Sequence, residues 1–367
     1  AVGLVGPGLV GGCLLEQMEA TKATLEANGM EVSVMAVADM KDGKPWMMCR
    51  EDWITVKEAK AAKFEDGEAG DFAKMADFLK SKAPNAVIFD TTAAEPVSEM
   101  YATWLKKGVH VVTPNKKVGS GPIARYNECM QNSKESGAIW GYETTVGAGL
   151  PIVGTLKKDL LQTGDKIVKV EGIFSGTLSY IFNTFKPGMK FSDVIADAKE
   201  KGFTEPDPRD DLGGVDVARK VVILARECGM NVELSDVPIK SLVPDALANW
   251  QPKEGEVLAD AFVREMAAFD DEKTALMAEA EKDDMVLRFV GSIDVVNKKC
   301  SVKLDKYPKT HPFAGTQYAD NIVAFDTERY VPQPLVIQGP GAGAAVTAAG
   351  IYADFLRIVD QCPEGKY

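Results

Sequence analysis

From Ala1 to Ser120, short apolar runs alternate with stretches whose apolar residues recur at helical spacing. Ala1–Val5 reads as a strand, Leu9–Asn28 as a helix closed by Gly29, and Val32–Ala38 as a second strand ending at Asp39. Lys41 to Glu68 reads as polar and irregular. Asp71–Ser81 sets Phe72, Met75, Phe78 and Leu79 at core spacing on one helix, and Ala86–Phe89, Val97–Lys107 and Val109–Val112 follow as strand, helix and strand. Strands separated by helices of this length imply right-handed crossovers and a parallel sheet, an α/β architecture wound to both sides.

The middle of the chain changes character. Val168–Phe174 predicts a strand and Leu178–Phe185 an amphipathic run. Ser192 can cap a helix over Asp193–Lys201 that Gly202 ends, and Val215–Cys228 predicts a helix stopped at Gly229. Strand-like stretches at Leu287–Val296, Ser301–Leu304, Ile322–Phe325 and Leu335–Gln338 predict an α+β domain with a mixed sheet. Gly339–Val359 is Gly/Ala-rich and then helical. No internal repeat or low-complexity segment is visible.

Composition narrows the function classes. The 367 residues suffice for two or three domains. Lys plus Arg number 42 and Asp plus Glu 54, and this net charge of −12 argues against a nucleic-acid binder. No run of 18 apolar residues predicts a membrane helix. Six dispersed cysteines, each more than 30 residues from the next, read as free thiols in a reducing compartment, with the choice between cytoplasmic and plastid left open. The start on Ala1-Val2-Gly3-Leu4-Val5, without Met or a basic leader, reads as processed or excised from something longer. Two histidines, His110 and His311, leave little room for a histidine-based relay or metal site.

Gly6-Pro7-Gly8-Leu9-Val10-Gly11 is G-x-G-x-x-G between a predicted strand and helix. The first glycine makes the tight turn, the second admits a pyrophosphate, and the third lets helix and strand pack closely, with phosphates at the helix N-terminus. This context predicts a Rossmann-type dinucleotide site, the alternative being a structural Gly-rich turn. Asp39 sits where a carboxylate bonds the ribose hydroxyls and selects NAD, whereas Lys41 could meet the 2′-phosphate of NADP, so use of both is expected.

Glu205-Pro206-Asp207-Pro208-Arg209-Asp210-Asp211 sets four carboxylates in seven residues, stiffened by prolines and kept out of a helix. Arg209 breaks the alternation that a calcium loop needs. The segment is either a solvated loop or a recognition site for a cation such as an amino-acid ammonium. Asp216 and Lys220 follow at i and i+4 on one helix face, as a surface pair or as a partly desolvated lysine suited to proton transfer. Thr113-Pro114-Asn115-Lys116-Lys117 lies past a strand's carboxyl end, which sets Lys116 at a cofactor–substrate junction or in an ordinary surface pair.

With Thr145–Pro151, Gly172–Ile181, Gly202–Lys220 and Gly339–Gly350 added to these motifs, the sequence resembles homoserine dehydrogenase over nearly its whole length. The resemblance implies NAD(P)-dependent interconversion of L-homoserine and L-aspartate 4-semialdehyde in threonine and methionine biosynthesis. Lys220 would be the main proton donor and acceptor, aided by Lys116. Glu205 would bind the substrate ammonium, and Asp211 and Asp216 would position substrate and lysine. Gly6, Gly8, Leu9, Val10, Gly11, Thr92, Lys116 and Gly343 would contact the nucleotide. A monovalent cation, sodium, would lie against the Glu143 carboxylate and the carbonyls of Val146, Ala148 and Leu150. The resemblance further implies a split nucleotide-binding domain, 1–145 with 339–362, around a substrate and dimerisation domain, 146–338. It also implies a homodimer through the second domain's sheet, with a small-molecule substrate and no nucleic-acid or membrane partner, and likeness to the dehydrogenase half of bifunctional aspartate kinase–homoserine dehydrogenases.

Two other readings remain at this stage. An aspartate-semialdehyde dehydrogenase needs a nucleophilic Cys with a His partner, and neither Cys13 nor Cys129 offers a persuasive one. A dinucleotide-sensing module without catalysis has no need of Lys116, Glu205, Asp211, Asp216 and Lys220 together.

Overall fold

The computed structural model describes residues 1–41, 43–62 and 68–362. The chain forms two compact units, Ala1–Pro151 with the chain from Ala342 onward, and Ile152–Gly341.

The first unit is built on seven strands: β1 (Val2–Val5), β2 (Val34–Lys41), β3 (Lys44–Cys49), β4 (Glu68–Ala69), β5 (Val87–Asp90), β6 (His110–Val112) and β7 (Trp140–Gly141). They lie in the order β4-β3-β2-β1-β5-β6-β7. All four residues of β1 and of β5 are buried, as central strands covered on both faces require, hence their apolar runs, with Asp90 at the end of β5 the exception. β1, β2, β5, β6 and β7 pair in parallel. The strand order reverses between β1 and β5, and their carboxyl ends open the crevice where ligands bind in such sheets.

The expectation of an irregular stretch from Lys41 to Glu68 needs correction. β3 pairs antiparallel with β2, β4 pairs antiparallel with β3, and Val56–Ala61 is a helix. The helix starts in a capping box, the Thr55 side chain accepting from Glu58 N–H while Glu58 reaches back to the Thr55 N–H. The expected helix Val97–Lys107 is two, Glu95–Ser98 and Tyr101–Lys106.

The last helix, Ala344–Val359, completes this core. Ile351, Tyr352, Phe355 and Ile358 are buried with Leu14, Leu15 and Met18 of the first helix, Leu9–Ala27. Tyr352 and Thr21 share a 2.5 Å hydroxyl hydrogen bond, and Phe355 meets Phe89 of β5 edge-on.

The second unit carries β8 (Ile167–Ile173), β9 (Met285–Asp294), β10 (Lys299–Pro308), β11 (Asp320–Thr327) and β12 (Leu335–Pro340), in the order β10-β9-β8-β11-β12. These strands pair antiparallel throughout, and one isolated bridge, Ile239–Val302, is parallel. The mixed character expected for this sheet therefore belongs mainly to the first unit, because apolar alternation marks a strand without marking its direction. Helix Val215–Glu227 packs on this sheet: a Cβ at Gly291 of β9 would stand 2.5 Å from Val221 Cγ2.

Ser192 does not cap its helix. It lies inside Phe191–Glu200, where its N–H and Oγ both donate to the Asp270 carboxylate, each at 2.7 Å. No helix among the described residues is long and apolar enough to cross a membrane, and all six cysteines are free.

Candidate active site

On the first unit, the glycine turn follows β1 directly. Gly6 has φ +87°, and a Cβ there would stand 2.6 Å from Thr92 Cγ2, while one at Gly11 would overlap the Gly6 carbonyl oxygen. These two glycines are demanded by packing within the protein. Gly8 differs: no atom lies within 4 Å of where its Cβ would be, so it faces open space. It begins the helix without a side-chain cap, and Leu9 beside it is 80% exposed. Open glycine, uncapped helix N-terminus and exposed Leu9 with half-buried Val10 form the surface a pyrophosphate needs.

Gly6 N–H donates to Ala38 O at 2.8 Å, so Asp39 is the next residue on the neighbouring strand. It is half-buried, and its Oδ1 accepts the Met40 N–H at 2.7 Å. Lys41 closes β2, and its side chain lies outside the described residues.

Asp90, fully buried at the carboxyl end of β5, organises the loops around the turn. Its carboxylate accepts from Thr92 N–H (2.8 Å), Thr92 Oγ1 (2.7 Å), Tyr101 Oη (2.5 Å) and Asn115 Nδ2 (3.0 Å). Burial pushes the carboxyl pKa up, with these donors pulling the other way. Thr113 Oγ1 donates to the Asp90 carbonyl, and Asn115 Oδ1 accepts the Lys117 N–H. Thr92 and the Thr113–Lys117 segment are thus fastened to one carboxylate. Lys116, half-buried, begins the short helix Lys117–Ser120.

The residues expected around a cation also lie on this unit. Glu143 is 5% exposed, its N–H donates to Asp354 Oδ2 at 2.9 Å, and Arg357 Nη1 stands 3.5 Å from its Oε2. Gly147 (φ +77°) and Ala148 (φ +53°) are consecutive left-handed residues between Val146 and Leu150. Such a conformation costs a non-glycine residue about 1 kcal/mol or more. One carboxylate with main-chain oxygens is a hard-cation set. The described residues hold no group of three or more His, Cys, Asp or Glu suited to a metal. Gly343, expected at the nucleotide, has φ +114° and open space at its Cβ position, at the start of the last helix.

On the second unit, Lys220 is 8% exposed on helix Val215–Glu227. Its Nζ donates to the Phe174 carbonyl at 2.6 Å and pairs with Asp216 Oδ2 at 2.7 Å. Asp216 is more than an ordinary surface partner, because the amine it holds is buried. Phe174 directly follows β8, and Ser175 caps the next helix, Gly176–Thr184. Two residues further, Thr177 Oγ1 contacts the Phe203 carbonyl (2.6 Å) and Asp211 Oδ1 (2.9 Å).

The acidic segment is not the proline-stiffened loop expected. Pro208–Leu212 is a short helix with Pro208 in its first turn, where a proline's missing N–H costs nothing, and Asp207 as its cap. Its carboxylates divide by role. Asp207 takes Arg209 in a bidentate pair, and Arg209 also reaches the Trp250 carbonyl. Asp211 Oδ2 accepts the Glu205 N–H at 2.8 Å, and burial raises the Asp211 pKa. Glu205 and Asp210 remain exposed. Asp90 and Asn321, central to the two units' hydrogen bonding, carry no motif signal; a lone Asp closing the apolar run Val87-Ile88-Phe89 was the one hint available.

Two family models cover the chain: "Homoserine dehydrogenase, NAD binding domain" matches residues 6–143 and "Homoserine dehydrogenase" residues 151–356. A chloroplastic bifunctional aspartokinase/homoserine dehydrogenase 2 of Zea mays is 47% identical over 98% of this chain, which spans 38% of that relative's length. The homoserine dehydrogenase of Schizosaccharomyces pombe is 44% identical over 98% of this chain and 95% of its own. Among solved structures, a Candida auris protein of unknown function superposes with a TM-score of 0.88 at 36% identity, covering 98% of each chain.

Proposed function

Because the chain belongs to the homoserine dehydrogenase family, we propose that it interconverts L-homoserine and L-aspartate 4-semialdehyde using NAD or NADP. The observation that carries this reading is the buried Lys220 amine, fixed by the Phe174 carbonyl and Asp216 and so prevented from wandering. The nicotinamide of a dinucleotide held at the glycine turn would supply or accept the hydride. Lys220 gives its proton to the aldehyde oxygen in reduction and takes the hydroxyl proton in oxidation. No covalent nucleophile is needed, and buried Cys129, its thiol pKa pushed up to about 12, is unsuited to be one.

Glu205, exposed beside the Asp211 anchor, binds the substrate ammonium. Lys116 bridges nucleotide and substrate from the segment fastened to Asp90. Gly6, Gly8, Leu9, Val10, Gly11, Thr92 and Gly343 hold the nucleotide, with Asp39 on the adenosine ribose. We further propose that Glu143 with the carbonyls of Val146, Ala148 and Leu150 takes sodium, and that the chain dimerises through its second sheet. Turnover at equal ionic strength with sodium or tetramethylammonium checks the first, and sedimentation the second.

The deciding measurement is absorbance of reduced nicotinamide with homoserine and NAD or NADP. Turnover is expected with both. Absence of turnover with either, from neutral to alkaline pH, defeats the proposal.

A further inference from the structure

Asn321 lies on β11, fully buried, in the second unit. Its Nδ2 donates to the Phe174 carbonyl at 3.2 Å, the same oxygen that receives Lys220 Nζ at 2.6 Å. Its Oδ1 has no hydrogen-bond partner among the described residues. A buried amide left half-satisfied costs about 1–3 kcal/mol. Gly341 packs against it. A Cβ at Gly341 would overlap Cγ, Nδ2 and Oδ1 of Asn321, so the bare glycine backbone lies flat against the amide plane. The reverse orientation would set Oδ1 against the Phe174 carbonyl, oxygen facing oxygen, and is excluded by repulsion.

The carbonyl so held is not part of a regular ladder at both ends. It lies where β8 (ending at Ile173) gives way to the helix capped by Ser175. Without the amide, Lys220 would be the side chain aiming at an oxygen free to swing with the turn. With it, two donors converge on that oxygen from different elements, the helix Val215–Glu227 and strand β11. We propose that Asn321 is a positioning residue for Lys220, clamping the Phe174 carbonyl so that the amine points consistently at the substrate oxygen, with Gly341 leaving the room the amide needs there. This rests on the function proposed for Lys220.

The test reads Lys220 directly and also reads turnover. Competitive acetylation of the full chain across pH, with mass-spectrometric quantification at Lys220, measures how readily that amine reacts. Asn321→Asp keeps size but replaces the donor to the Phe174 carbonyl with an acceptor and adds a second carboxylate near the amine besides Asp216, which should move the half-reaction point up by about one pH unit. The alkaline rise of kcat for homoserine oxidation should move with it. Asn321→Leu and Gly341→Ala remove or displace the amide without adding charge. Both should shift the Lys220 acetylation curve and lower kcat about 10-fold to 100-fold, with cofactor KM unchanged. A Lys220 acetylation curve that coincides with the unmodified protein's in Asn321→Asp and in either neutral variant, each shown folded by its thermal midpoint, overturns the inference. If acetylation curves move while the unmodified chain shows no turnover, the positioning role stands and the proposed reaction falls.

Discussion

A lysine amine held by one carboxylate and one carbonyl is positioned without being consumed. Lys220→Met preserves length and packing but removes the transferable proton, and should lower kcat about 100-fold to 10,000-fold with the cofactor dissociation constant unchanged. Parallel loss of cofactor affinity would instead point to a folding role. His110 offers a second residue-scale check, in the first unit. Its Nδ1 accepts the Ile139 N–H at 2.9 Å, which only the neutral ring can do. Burial, with a smaller contribution from nearby Lys80, lowers its pKa to about 4. The folded value is depressed, so this stabilisation is complete above the unfolded value of about 6.5 and is lost as pH falls through about 4. The loss is at most about 3 kcal/mol. His110→Asn keeps an acceptor that cannot be protonated, and its urea midpoint should be flatter over that window. An identical acid decline in the variant would assign the loss to other groups.

At the scale of elements, what decides is where a segment's polar atoms find partners. Helix Phe191–Glu200 is started from a distance, by an Asp270 carboxylate that takes two donors from Ser192. Asp270→Ala leaves both without an acceptor in a buried site and should cost about 2–4 kcal/mol in denaturant unfolding; a change within experimental error would mean the helix start finds another cap. No sequence rule finds such a cap, because its two halves are 78 residues apart. What was legible follows from local periodicity: β1, its glycine turn and the helix behind it, and the helix carrying Lys220 to within one residue. The Thr55–Glu58 capping box was present in the sequence but hidden in a polar stretch. Strand direction in the second sheet, the division of labour among Asp207, Asp211 and Glu205, and the clamps at Asp90 and Asn321 depend on partners far along the chain. Composition and spacing carry no record of those partners.

For the whole molecule, the decisive feature is that one unit is discontinuous. Its glycine turn is at Gly6–Gly11, while part of its core comes from Ile351, Tyr352, Phe355 and Ile358. The helix Ala344–Val359 is therefore needed to fold the nucleotide-binding unit although it follows the entire second unit. Phe355→Ala removes a ring that is 2% exposed and packs edge-on against Phe89 of β5. The cavity should cost about 3–5 kcal/mol, comparable to the whole stability of many domains. That loss belongs to the first unit, so nucleotide binding, followed by quenching of protein fluorescence, should weaken sharply in Phe355→Ala. The hydrogen exchange protection of β8 to β12 in the second unit should stay near normal. Cofactor acts in the opposite sense. Saturation at 100 times its dissociation constant should stabilise the first unit by about 2.7 kcal/mol and restore part of the variant's protection there. Equal loss of protection in both units, with no recovery on adding cofactor, would show that they unfold as one cooperative body and that the last helix serves both.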